Sequence, residues 1–275
     1  MTTVPKDAAT VMLIRDMSGE EDGAMQVLMM RRHPKSDFVP GSYVFPGGAL
    51  EDEDCLSGTE CRCAGLDRSR AAAILADVAV PECALGIWVA AIRETFEEAG
   101  ILLACREDGA FVSVESPRER ENFSSYRRML AARELSFSEM LEREKLTLAT
   151  DRLHYYSHWI TPELSPIRYD TRFFVCEAPP FQTAFHDGVE LTAHHWTAPQ
   201  RALEDYDKGT IRMVIPTVVT LEELSRFSSA AEVIASTEGK TIPANLVRIS
   251  IDEANNIIAY TPDGREFTIK TRAVR

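Results

Sequence analysis

Short apolar runs bounded by turn residues occur in both halves of the chain. They predict strands over residues 10–15, 25–31, 43–45, 101–104, 153–161, 171–177 and 189–196. The polar stretch from Ser18 to Gly23 predicts a hairpin loop between the first two strands. Near the C-terminus, NLVRISI, NIIAYT and REFTIK predict three more short strands, with a turn at Asp263-Gly264.

Helical patterns alternate with these strands. They predict helices over 68–80, over 117–144 with a break near Ser136, after Thr197, and over 217–236. Another helix is predicted from Pro81 to Ala99, because proline fits a first helical turn and Gly100 suits a left-handed cap. The chain therefore reads as an α/β domain over 1–236, followed by a small β-rich C-terminal appendage over 237–275.

Composition narrows the class of protein. The chain has 275 residues, of which 45% are hydrophobic, enough for one substantial core. A net charge of −13 disfavours a nucleic-acid binder. No stretch approaches the roughly 20 apolar residues that span a bilayer, so no membrane partner is expected. The N-terminus lacks a secretion pattern and the terminal TRAVR matches no targeting motif, so we expect a cytoplasmic protein.

The six cysteines are expected to be reduced thiols in such a compartment. Four of them lie loosely together in the sequence: Cys55, Cys61, Cys63 and Cys83. Their spacing contains no C-x-x-C pair, so ordinary thiols are preferred over the alternative of a structural zinc site.

The segment AAIRETFEEAGI, residues 90–101, carries the most chemical information. On a helix, Glu94, Glu97 and Glu98 share one face at i, i+3 and i+4 spacing. The opposite face is apolar: Leu85, Val89, Ile92 and Phe96. Three adjacent carboxylates repel one another, and Mg²⁺ or Mn²⁺ would offset that repulsion. A solvated acidic helix face is the alternative.

Upstream, the consecutive glycines of FPGG, residues 45–48, let the backbone approach a ligand closely. FPGGALEDED followed by RETFEEAGI resembles the Nudix box, G-x5-E-x7-R-E-U-x-E-E-x-G-U, where U is aliphatic. Gly48 begins the pattern, and its second half is matched by Arg93, Glu94, Glu97, Glu98, Gly100 and Ile101.

The match has three departures. Asp54 stands where glutamate is expected, unless Glu53 serves with shifted spacing. Thr95 occupies the aliphatic position. Positions 55–92 separate Asp54 from Arg93, where the motif has seven residues. An insertion at about 55–85 therefore splits the box, and loop-closure entropy rises slowly enough with length to tolerate it.

This split box resembles the one found in the Nudix branch that contains the peroxisomal acyl-CoA diphosphatases. The segments RRHPKSDFVPGSYVFPGGAL, SHWITPE, DTRFF and PTVVTLEEL extend this resemblance over roughly residues 10–225. It implies a Nudix-type α/β/α sandwich with a mixed β-sheet. It also implies Mg²⁺ or Mn²⁺ held by Glu94, Glu97, Glu98 and the Gly47 carbonyl, with Arg93 orienting the glutamates.

The resemblance further implies that water attacks one phosphorus of a small-molecule diphosphate. Glu94 is metal ligand, base or both, and Glu190 is a second candidate base or ligand. Arg31 and Arg32 end a strand that should approach the site. Strand alternation points them in opposite directions, so we expect only one to contact substrate phosphate.

The branch suggests CoA or acyl-CoA as substrate. Two alternatives stay open: a hydrolase of nucleoside diphosphate sugars or dinucleotides, and a non-catalytic Nudix-fold nucleotide sensor. A homodimer formed through the C-terminal β appendage is compatible with any of these.

Overall fold

The structure is a computed structural model that describes residues 3–17, 25–185, 190–252 and 257–269. Its strands are β1 Lys6–Arg15, β2 Gln26–Arg32, β3 Tyr43–Val44, β4 Gly47–Ala49, β5 Ala104–Cys105, β6 Thr147–Leu148, β7 His154–Ile160, β8 Tyr169–Glu177, β9 Leu191–Thr197, β10 Ala244–Leu246, β11 Arg248–Ile251, β12 Ile257–Tyr260 and β13 Glu266–Ile269. Its α-helices are α1 Arg68–Ile74, α2 Ala84–Ala99, α3 Pro117–Ala131, α4 Phe137–Glu144, α5 Pro199–Asp207, α6 Ile215–Leu224 and α7 Ala230–Ala235.

A mixed sheet forms the centre of the molecule. Within the described ranges it contains eight strands, in the order β10-β7-β8-β1-β2-β3, with β4 also pairing β1 and β9 also pairing β2. β1 runs parallel to β8 and antiparallel to β2 and β4. Because β1 is paired on both sides, its interior is apolar on both faces, from Val11 to Ile14.

Helices cover both faces of this sheet. On one face, Val11 and Leu13 of β1 join a core that includes most of α2 and residues of α1, α3 and α4. On the other face, Met12 and Ile14 pack in a second core with α6 and α7. The predicted α/β/α sandwich with a mixed sheet is therefore confirmed.

Helix α2 lies close to its predicted position. A 3-10 turn, Pro81–Cys83, leads into it, and Gly100 ends it in the left-handed conformation with φ of 69°. However, α2 does not expose one whole face to solvent, as an amphipathic surface helix would. Of its 16 residues, all but Glu94 and Glu97 are buried, because sheet, insertion and loops enclose it. Glu98 is therefore a buried residue, not one on a solvent-facing surface.

Three predicted elements need correction. Only Ala104 of 101–104 lies in a strand, because the Gln182 side chain bonds the backbone of Leu102 through both its Oε1 and Nε2 atoms (2.8 and 3.0 Å). The helix predicted over 68–80 ends at Ile74. The helix predicted over 217–236 is two helices, since Ser229 caps α7 with a hydrogen bond from the Glu232 amide.

The C-terminal strands divide between two sheets. β10 pairs in parallel with β7 at the edge of the main sheet, whereas β11, β12 and β13 form a separate antiparallel sheet. Val247 and Ala259 pack into the second core, so this small sheet rests on the main domain. The predicted boundary at residue 237 stays a prediction. The predicted loop from Ser18 to Gly23 lies outside the described residues.

Cysteine pairing differs from the expectation of six reduced thiols. Cys55 and Cys83, 28 positions apart, form a disulfide, while Cys61, Cys63, Cys105 and Cys176 are free. The four clustered cysteines therefore do not form a zinc site. The disulfide links the two ends of the insertion, because Cys55 follows the first half of the split box and Cys83 directly precedes α2.

None of the helices in the described part of the chain has the length and apolar character needed to span a membrane.

Candidate active site

The FPGG segment presses directly against helix α2. Residues Gly47–Ala49 form β4 alongside β1, where Thr10 pairs with Gly47. The Gly47 amide donates a hydrogen bond of 2.8 Å to Oε2 of Glu98. A β-carbon at Gly48 would collide with the Glu94 carboxyl group. Gly48 is therefore needed because the backbone touches a carboxylate at this point, whereas a β-carbon at Gly47 would collide with Ala9 and Thr10 of β1.

Arg93 lies at the centre of a buried polar cluster. Its Nε and Nη2 atoms donate to the two carboxylate oxygens of Asp54 at 3.0 and 2.9 Å. Its Nη1 donates to Oε1 of Glu94 at 2.8 Å, and its Nη2 also reaches the carbonyl oxygen of Ala49 at 3.0 Å. Glu97 lies 3.8 Å from Nη1. Arg93 therefore ties the first half of the box to the carboxylates of the second half.

Asp54 reaches Arg93 because a short 3-10 helix, Asp52–Cys55, turns it inward. The Glu51 amide donates to Oδ2 of Asp54 at 2.9 Å, fixing the carboxylate. Asp54 is 3% exposed, whereas Glu53 is exposed to solvent. Asp54, and not Glu53, thus completes the first half of the box. The spacing of five residues after Gly48 was the sequence signal for it.

Burial makes this cluster electrostatically costly. Burial, together with the negative charge of Glu94, raises the pKa of Glu98 well above its ordinary value. Burial raises the pKa of Glu94 to about 7, with Arg93 opposing the shift and Glu97 adding to it. Burial also raises the pKa of Glu97. For Arg93, burial opposes the charge, but the hydrogen bonds and charge of Asp54, together with the charges of Glu94 and Glu97, outweigh it and raise the pKa.

Arg32 and Glu190 lie near these carboxylates. The positive charge of Arg32 lowers the pKa of Glu98, while the negative charge of Glu190 raises it. Both residues line a cleft of about 380 Å³. Arg31 is exposed and does not line this cleft. Arg32 therefore lines the cleft and Arg31 does not, and the expectation that only one of them contacts substrate phosphate stays a prediction.

Two further residues support the site. Thr95, at the aliphatic position of the motif, is fully buried and satisfies its hydroxyl by donating to the Ala91 carbonyl at 2.7 Å. Arg127 of α3 donates to the Glu97 carbonyl through Nη2 at 2.7 Å and Nε at 3.2 Å, and Nη2 also reaches the Glu98 carbonyl at 3.2 Å. Arg127 thereby caps the C-terminal end of the carboxylate helix. The sequence holds no motif that would have identified it.

The donor set suits a hard divalent cation, which prefers carboxylate oxygens. Glu98 is buried, the negative charge of the neighbouring Glu94 raises its pKa, and a cation would relieve that repulsion. Within the described ranges, however, no three His, Cys, Asp or Glu side chains already converge as a coordination group. Arg93 engages one oxygen of Glu94 and the Gly47 amide engages one oxygen of Glu98. Binding would therefore require these carboxylates to reorient.

The sequence of this chain is similar to those of known proteins. Residues 63–226, more than half of the chain, match the family model of the NUDT19 Nudix domain. The acyl-coenzyme A diphosphatase NUDT19 of Xenopus laevis is 28% identical over 240 residues, covering 75% of this chain and 61% of that protein. The Homo sapiens protein of the same name is 28% identical over 240 residues, covering 75% of this chain and 62% of that protein. The chain thus spans less than two thirds of either relative.

A solved structure agrees with the fold. The crystal structure of a Nudix hydrolase from Alicyclobacillus acidocaldarius is 27% identical and superimposes with a TM-score of 0.65, covering 85% of this chain and 96% of that one. The match to the family model, the ion pair between Asp54 and Arg93 that joins the split box, and the α/β/α sandwich fold all indicate the same family. The chain belongs to the Nudix hydrolase family, in the branch related to the acyl-coenzyme A diphosphatases.

Proposed function

We propose that this protein is a divalent-metal-dependent diphosphohydrolase that cleaves CoA or acyl-CoA. The observation that carries the proposal is the buried pair between Arg93 and Asp54, which closes the split box around Glu94 and Glu98. A protein that only bound a nucleotide would have no need for a buried carboxylate cluster of this kind. The names of the NUDT19 relatives support the substrate.

Glu94, Glu97 and Glu98 would hold Mg²⁺ or Mn²⁺, with the Gly47 backbone alongside. When bound, the metal would neutralise phosphate oxygens and lower the pKa of a water molecule. The protein's own groups then set the geometry. Arg93 holds one oxygen of Glu94 in place, and the Gly47 amide holds one oxygen of Glu98.

In the reaction, a water oxygen bonds to one phosphorus, and the bond from that phosphorus to the bridging oxygen breaks. The bridging oxygen leaves with the second phosphate, and the water proton passes to a carboxylate. Glu94 and Glu190 are the candidate acceptors. Arg32, which lines the cleft and whose charge acts on Glu98, would contact the substrate's diphosphate through its planar guanidinium.

The test is product release by the purified protein with Mg²⁺ or Mn²⁺, across CoA, an acyl-CoA, NADH, ADP-ribose and nucleotide sugars. The proposal expects cleavage of CoA to 3′,5′-ADP and a phosphopantetheine product, abolished by a chelator. Cleavage of only another compound would retain the diphosphohydrolase and reject the CoA assignment. Tight binding without turnover would favour the nucleotide sensor.

A further inference from the structure

A polar cleft of about 380 Å³ opens at the C-terminal end of β2. The end of β2 and the loop that follows it form one wall, and the segment leading into β8 forms another. Arg32 and Glu190 line the cleft, and the charges of both act on Glu98. Arg32 and Glu190 therefore link this cleft electrostatically to the carboxylate site, where the diphosphate would be cleaved.

The loop after β2 is held in a defined shape. The His33 amide donates to the Glu190 carbonyl at 2.8 Å, and the Ser36 amide donates to the His33 carbonyl at 2.9 Å. The Lys35 amide donates to Nδ1 of His33 at 3.0 Å. Since Nδ1 accepts this bond, a neutral His33 carries its proton on Nε2 and has a donor available. The loop thus presents His33 and Lys35 from a fixed backbone.

The cleft is lined by two cations, Arg32 and Lys35, and by the carboxylates of Asp37 and Glu190. Among the described residues neither cation forms a direct ion pair, and the Nε atom of Arg32 is shielded from solvent without an acceptor. By contrast, the guanidinium of Arg93 is paired with carboxylates. A shielded donor without an acceptor is unfavourable, and a phosphate oxygen would satisfy it.

An aromatic wall lies in the same cleft. Phe38 and Tyr169 pack edge to face with their ring centroids 5.1 Å apart, and both are half-buried. Asp37 also lines the cleft, and its carboxylate offers an acceptor to an exocyclic amino group. Apolar ring surface beside anion-binding groups suits a phosphorylated nucleoside better than an acyl chain.

We propose that this cleft binds the 3′-phosphoadenosine end of the substrate, with Arg32 on the diphosphate and Lys35 on the 3′-phosphate. The inference rests on the proposed function, because it names the part of CoA that the cleft selects. Lys35 is then a specificity-determining residue. It lies three positions beyond Arg32 in the loop after β2, so it can contact a second phosphate without touching the reacting one.

The kinetic test compares CoA with dephospho-CoA, which lacks the 3′-phosphate. Lys35→Ala should raise KM for CoA about tenfold, as expected for the loss of one charge-assisted contact, and leave kcat unchanged. It should leave KM for dephospho-CoA unchanged. The matched control is Lys208→Ala, a surface lysine paired with Glu204 and not lining the cleft, and it should change neither KM. An equal rise for both substrates, or no rise, would overturn the inference.

A binding measurement separates this inference from the proposed function. Without added metal, the wild-type protein should bind 3′,5′-ADP about tenfold more tightly than 5′-AMP by calorimetry, and Lys35→Ala should abolish the difference. If CoA is not cleaved but this preference is present, the proposed function fails and the pocket assignment stands. If CoA is cleaved but the two nucleotides bind equally, the pocket assignment fails and the proposed function stands.

Discussion

Arg93 and Asp54 form a two-point ion pair, with N–O distances of 3.0 and 2.9 Å, although they lie 39 positions apart in the chain. Both side chains are buried, at 7% and 2% exposure. An insertion separates the two halves of the box in sequence, and this pair joins them in space. The disulfide between Cys55 and Cys83 closes the same insertion one residue beyond Asp54.

Removing Asp54 should damage both stability and turnover. Asp54→Asn breaks the buried ion pair with Arg93 and leaves Glu94 as its nearest counter-ion, so we expect a loss of about 3–5 kcal/mol in the free energy of unfolding. It also frees Arg93 from its orientation, so we expect turnover to fall by about 10- to 100-fold, as for other residues that orient metal ligands. Thermal unfolding and a CoA-cleavage assay measure the two effects.

The control is Glu53→Gln, since Glu53 is exposed and adjacent to Asp54. It should resemble the wild type in both assays. If the two variants behave alike, Asp54 is not the residue that completes the box.

The cap that Arg127 provides should be measurable on its own. Arg127→Ala removes three hydrogen bonds to the carbonyls of Glu97 and Glu98, so we expect a loss of about 1–3 kcal/mol in the free energy of unfolding. The neighbouring Arg128 pairs with Glu121 at the surface, with 64% of its side chain exposed. Arg128→Ala should change the free energy of unfolding by less than about 1 kcal/mol. Chemical denaturation of both variants tests the difference, and equal losses would contradict the capping role.

The disulfide determines how many free thiols we expect in the oxidised protein. Titration of the denatured protein without reductant should find four free thiols, from Cys61, Cys63, Cys105 and Cys176. The double variant Cys55→Ser and Cys83→Ser should lose about 3 kcal/mol of stability, because the 28-position loop is no longer closed in the unfolded chain. Six titratable thiols in the oxidised protein would disprove the pairing.

Much of the fold followed from local patterns. Pro81 and Gly100 bounded α2 because proline and glycine act through their own backbone preferences. Ser136 marked the break between α3 and α4 because its side chain caps α4 in a capping box with Glu139. The strand over 101–104 was predicted wrongly because a distant side chain, Gln182, replaced the strand partner there.

The candidate site could likewise be predicted only in part from the sequence. The spacing of Glu94, Glu97 and Glu98 identified the helix that carries them, and the spacing after Gly48 indicated Asp54. The burial of Glu98 was not foreseen, because it depends on the FPGG strand packing over the helix from 51 positions away. Arg127 was missed for a similar reason, since its contacts with helix α2 are set by how α3 packs and not by a motif.

The glutamates should be needed for turnover but not for folding. Glu97→Gln and Glu98→Gln each remove a charge from the carboxylate cluster, so turnover of CoA should fall by orders of magnitude. The glutamine at 98 keeps an oxygen that can accept from the Gly47 amide, and circular dichroism should match the wild type. Near-normal turnover in both variants would reject the assignment of these residues as metal ligands.

The central claim is that helix α2 carries a divalent-metal site, and calorimetric titration with Mn²⁺ tests it most directly. The wild-type protein should bind Mn²⁺, and Glu98→Gln should weaken that binding by about tenfold or more. Glu82→Gln, an exposed glutamate just before α2, should bind like the wild type. No binding by the wild type, or equal binding by all three proteins, would contradict a metal site at these glutamates.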